Sequence, residues 1–114
     1  MLKAQEIETG LAQHYGSENL YKNRILKFNY TEGVKYMWES CEAYWLLIAI
    51  SSHNRHEPFQ VWQLEVEDHK AVLTMKEDTN EPLKVIQEIP YTDFPLNEIK
   101  LYLIDGILLL TSEY

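Results

Sequence analysis

Apolar positions recur with a helical period of about 3.6 residues in the first half of the chain. They alternate with a period of two from Phe59 onward. Ala4, Ile7, Leu11 and Tyr15 share one face and predict an amphipathic helix over residues 3–15, with Gly16 placed to stop it. Residues 17–30 are mixed, and Ile25 to Asn29 reads either as a short strand or as the approach to the next helix. The second helical region starts near Thr31, an N-cap residue type standing before Glu32. Val34, Met37, Trp38, Cys41, Trp45 and Ile48 form one stripe, and Tyr44, Leu47 and Ile50 widen it. A segment that is apolar nearly all round belongs in the middle of a fold. It either runs unbroken to about Ser52 or breaks near Ser40 to Ala43. The polar run from Ser51 to His56, followed by Pro58, ends it.

The second half reads as strands. Trp62, Leu64 and Val66 alternate with Gln63, Glu65 and Glu67, and Ala71, Leu73 and Met75 alternate with Val72, Thr74 and Lys76. With Asp68-His69 as a two-residue turn, Glu67 pairs with Lys70, Leu64 with Leu73 and Trp62 with Met75. Leu83 to Ile89 is a third strand, ended by Pro90. Asp105-Gly106, between Ile99–Ile104 and Ile107–Thr111, predicts a hairpin, because both central residues of such a turn need positive φ. The competing assignment is a helix from Asn97 to Ile104 closed by Gly106.

Helices first and strands afterwards predict a single α+β domain over residues 1–114. N-terminal helices should pack on one face of a mainly antiparallel sheet of about four to five strands, built from residues 59–112. Trp38, Trp45, Trp62, Leu64, Leu73, Leu101 and Leu103 are the expected core. The last hairpin breaks the simple pattern. Leu101, Leu103, Leu108 and Leu110 face the core, yet the opposite side carries Tyr102, Ile104, Ile107 and Leu109. A sheet with one wet face alternates cleanly between apolar and polar. This second side should therefore be covered, either by the segment around Tyr44 to Ile50 or by a second copy in a homodimer. These four residues are the candidate interaction surface.

Charge narrows the partners. There are 18 acidic and 10 basic residues, for a formal net charge of −8. Such a balance is poorly suited to phosphate backbones or anionic membranes, so neither nucleic acid nor a membrane is expected as a partner. The N-terminal residues carry no apolar core of a secretory signal. The longest apolar stretch, Tyr44 to Ile50, falls short of the roughly 20 residues a spanning helix needs. A single cysteine suits a reducing compartment, and the expected location is the cytoplasm.

Candidate chemistry is sparse. His53 and His56 stand three apart and could offer two imidazoles to a metal, with His14, His69, Cys41 or an acid completing the set. A solvated loop after a buried helix is the preferred reading, since no zinc-binding spacing accompanies them. Cys41 lies on the apolar stripe, where a thiol is a small inert hydrophobe rather than a nucleophile. No phosphate-cradling glycine loop, zinc motif or nucleophile elbow occurs, so no cofactor and no catalytic residue are assigned. Tyr21, Tyr30, Tyr36, Tyr91 and Tyr114 lie off the apolar stripes and are candidates for a contact surface.

Thr31–Tyr36, Ala43–Leu47, Phe59–Leu64, Tyr91–Leu96 and Leu108–Tyr114 resemble a bacterial domain family of unknown function. That family is scattered through cyanobacterial and other genomes, plasmids and phages. The resemblance implies one compact domain and a mobile-element setting, and it supplies no activity or site. The leading expectation is a non-enzymatic protein–protein interaction or accessory factor, associated with mobile elements or anti-defence. The alternative is a small metal-dependent enzyme using His53 and His56.

Overall fold

The computed structural model describes residues 4–12, 20–22, 25–53, 57–78 and 82–114. Among them the helices are α1 (Ala4–Ala12), α2 (Glu32–Cys41) and α3 (Tyr44–Ser52). The strands are β1 (Leu20–Tyr21), β2 (Asn29–Thr31), β3 (Phe59–Glu67), β4 (Lys70–Lys76), β5 (Leu83–Ile89), β6 (Glu98–Ile104) and β7 (Ile107–Leu110), and a 3-10 turn covers Thr111–Glu113. Residues 3 and 13–15 of the first expected helix, and the Gly16 expected to stop it, lie outside the described residues.

Both expected hairpins form in the expected register. Asp68 and His69 have φ of 53° and 62°, and Asp105 and Gly106 have 49° and 81°. Positive φ at both central positions is the turn whose twist matches that of paired strands. Only the second turn has a glycine to ease it. Leu64 faces Leu73, Trp62 faces Met75 and Glu67 faces Lys70. Leu103 faces Leu108 and Leu101 faces Leu110. The helical alternative for residues 97–104 is thereby excluded.

The sheet is larger than four to five strands. Among the described residues it has seven, in the order β1-β2-β7-β6-β3-β4-β5, and it is mixed because β2 runs parallel to β7. The two extra strands are only two and three residues long. A period of two cannot be read from so few residues. Ile25 to Phe28 is a bent segment rather than a strand, and it buries Leu26 and Phe28. Nor do the helical turns all precede the sheet, since Thr111–Glu113 follows its last strand.

The long second helical region breaks. Glu42 takes a left-handed conformation, and both its N–H and that of Ala43 donate to the Trp38 carbonyl. This closes α2 with a non-glycine cap. After the corner, α3 buries Leu46, Leu47 and Ile50. His53, at its end, lies 5.5 Å from the Trp62 ring, and Trp45 meets Phe94 edge-on at 6.4 Å. The segment Tyr44 to Ile50 therefore lies on the Trp62 face of the sheet. It does not cover the side carrying Tyr102 and Ile107, and that expected intrachain cover is corrected.

The shared core contains Ile7, Val34, Met37, Leu46, Leu47, Trp62, Leu64, Leu73, Leu101 and Leu103. Trp38 and Trp45 are only partly buried, contrary to expectation. They stand at the α2–α3 corner, where Trp38 packs edge-on against Tyr44 at 5.1 Å. An indole there is too large to be enclosed on all sides.

The start of α2 is tied to the last residues of the chain. The Thr31 hydroxyl accepts from the Val34 N–H at 3.3 Å and donates to Glu113 Oε1 at 2.6 Å. The Gly33 N–H donates to Glu113 Oε2 at 3.3 Å, and the Leu110 N–H donates to Oε1 at 2.9 Å. A carboxylate at a helix N-terminus satisfies free N–H groups and sits at the positive end of the helix dipole. Glycine at position 33 leaves room for this carboxylate: a Cβ would meet Glu113 Oε1 at 2.6 Å and push it off the cap.

Two stability predictions result. Leu64→Ala and Leu101→Ala should each cost about 2–5 kcal/mol, read from the urea midpoint, because both side chains are fully enclosed. Thr31→Ala and Glu113→Ala should each cost about 1–2 kcal/mol. The double variant should lose less than the sum, because the two residues share one cap.

Candidate functional site

The expected surface residues come together. Tyr102 pairs with Leu109 and Ile104 with Ile107, on the face opposite Trp62. β3 adds Phe59 opposite Ile104 and Val61 opposite Tyr102. The chain then returns over this face through its last residue. Tyr114 meets Phe59 at 6.2 Å and Tyr102 at 5.2 Å, both edge-on, and Phe59 lies 5.5 Å from Tyr102. Val61, flanked by Phe59 along its strand and Tyr102 across it, is 1 % exposed. Tyr114 itself is 76 % exposed. The second side of the hairpin is thus partly roofed by three aromatic rings of the same chain, with one ring presented to solvent.

Further along the same face the character changes. Gln63 stands between Lys100 and Thr74, and Glu65 between Glu98 and Val72. The face has an apolar, aromatic end on β7, β6 and β3 and an acidic end at Glu65, Glu88 and Glu98, with Lys76 and Lys100 between. Phe59, Val61 and Tyr114 were not legible as members of this surface. Their membership depends on β3 pairing with β6, which adjoining residues do not reveal.

The other candidates do not converge. His53 Nε2 lies 2.7 Å from Gln87 Oε1, so this imidazole is already engaged beside the core. His56 lies outside the described residues. Among the described residues no three His, Cys, Asp or Glu side chains are grouped to hold a metal ion. The five tyrosines do not form one surface. Tyr30 is buried and stacks on Tyr21 at 5.7 Å, while Tyr91 stacks on His69 at 5.8 Å and donates to Asp93 at 2.8 Å. That hydrogen bond raises the Tyr91 hydroxyl above its usual range.

Cys41 lines a cleft of about 360 Å³ with Trp45, Tyr91 and Phe94. Burial pushes its thiol up to about 12. A nucleophilic cysteine needs the opposite shift. The native thiol should therefore react with an aromatic disulfide reagent at pH 8 only after denaturant is added. The raised value also has a sign for stability. The unfolded thiol ionises near 9.0, while the folded one keeps its proton until about 12. Its contribution is complete below pH 9 and is lost as the pH rises toward 12, a loss that Cys41→Ala should remove.

With this geometry in view, the chain belongs to the family of unknown function DUF6876, whose model matches residues 5–114. No curated protein and no solved structure matches it. Among the described residues no helix is long and apolar enough to cross a membrane.

Proposed function

We propose that this is a non-enzymatic interaction protein that holds a partner protein on the helix-free face of its sheet. The observation that carries the reading is the aromatic end of that face. Phe59, Tyr102 and Tyr114 are clustered there with Ile104, Ile107 and Leu109, and no helix packs over them among the described residues. Tyrosine and phenylalanine are enriched where proteins meet, because they bring large contact area at low entropic cost. The partner that fits has an apolar ridge to lie on the rings and basic side chains to meet Glu65, Glu88 and Glu98. A net charge of −8 favours such a partner at long range and disfavours nucleic acid. A reduced, buried Cys41 suits the cytoplasm, and the resemblance suits an accessory factor of a mobile element.

The test is capture from the host with the wild-type chain, Ile107→Glu and Tyr114→Glu, each variant first shown to be folded by its urea transition. A specific partner should be retained by the wild type and lost about tenfold or more by both variants. If both variants keep the same partners at wild-type levels, the reading is wrong.

A further inference from the structure

Among the described residues the far edge of the sheet is β5, which has a neighbour there only on its β4 side. At seven residues it is a long edge, whereas the opposite edge, β1, has two residues. An unpaired edge strand is a template for another strand, and proteins usually guard it with charges, prolines or bulges. Pro82 and Pro90 flank β5, and a register shift against β4 falls near Lys84. The apolar positions are nevertheless unusually open. Ile86 is 66 % exposed and Leu83 is 49 % exposed, with Val72 also exposed on the neighbouring strand.

The charges on this edge are arranged symmetrically. The strand reads Leu83-Lys84-Val85-Ile86-Gln87-Glu88-Ile89, with opposite charges two residues to either side of Ile86. Antiparallel pairing of β5 with β5 of a second copy, about a two-fold axis at Ile86, puts Ile86 against its own counterpart. In the same register Lys84 comes opposite Glu88 twice over and Val85 opposite Gln87. Lys84 and Glu88 are both exposed, and neither has an ion pair among the described residues. Opposite charges directly across a strand pair favour it and like charges oppose it. The same charges that would discourage arbitrary strands therefore match in this one self-pairing. A two-fold contact closes on itself and uses up the edge, so it ends in a dimer and not a filament.

We propose that the protein forms a two-fold homodimer through β5, joining two sheets edge to edge. This edge is separate from the aromatic end of the helix-free face and shares only Glu88 with its acidic end; the interaction reading is tested at Ile107 and Tyr114, so either proposal can fail alone.

Charge reversal tests the register. Sedimentation equilibrium over about two decades of concentration should find a wild-type dimer. Lys84→Glu alone and Glu88→Lys alone should each weaken self-association about tenfold or more. The double variant should restore it, and an equimolar mixture of the two single variants should form a mixed dimer. Hydrogen exchange of those β5 amides that point away from β4 should slow as concentration rises in the wild type. A wild-type chain that is monomeric throughout overturns the proposal. So does a dimer whose strength ignores both single reversals. If that dimer is instead split by Ile107→Glu, the second copy occupies the helix-free face.

Discussion

Leu110, Leu101, Trp62, Met75 and Val85 stand side by side across five strands, each directly opposite the next in the hydrogen-bonded ladder. All five are buried. This row makes one face of the sheet continuously apolar, and a surface of that size must be covered. The helices follow from it. α3 is apolar nearly all round because its side chains meet both this face and α2, and α2 turns the stripe of Val34, Met37 and Cys41 inward. Helices on one face only leave the other face to be finished by side chains. There the three rings of Phe59, Tyr102 and Tyr114 take the place of a layer.

How much of this could be read in advance depended on how far apart the interacting residues lie. The β3–β4 and β6–β7 hairpins were legible, because the turn residues and the alternation they join are adjacent in sequence. Even Asp68-His69, without a glycine, adopts the left-handed pair that the flanking register demands. The pairing of β3 with β6 was not legible, because nothing in either segment names the other. β1 and β2 were missed because they are too short to carry a period. The break at Glu42 was one of two readings, since a left-handed glutamate is a cost that only the packing of α3 explains.

The candidate surface divides in the same way. Tyr102, Ile104, Ile107 and Leu109 were visible because their hairpin is apolar on both sides. One expected cover was the segment Tyr44 to Ile50, yet α3 lies on the Trp62 face, where Trp62 and Gln87 receive His53, the residue that caps it. Tyr114 was recognised as lying off the stripes, but not as part of this surface. Its position depends on Glu113, which bonds to Thr31 and Gly33 and so carries the last residue to the sheet. Of the histidine pair and the cysteine, conspicuous in a chain with little other chemistry, His53 is engaged by Gln87 and Cys41 is buried, while His56 lies outside the described residues.

The parallel pairing of Asn29 with Ile107 and Tyr30 with Leu108 bears on how the chain is made. A ribosome delivers β2 long before the strand beside it exists. Until β7 emerges, β2 has no neighbour on that side, and the start of α2 lacks the carboxylate that completes its cap. The antiparallel hairpin of β3 and β4 can close as soon as its turn has been synthesised. Assembly should therefore spread outward from the middle of the sheet, and closure of the β2 side becomes a late checkpoint on synthesis. A nascent chain stalled before Ile107 would present an open strand edge beside a helix capped by Thr31 alone, and an unpaired edge is one of the features by which chaperones find an unfinished product.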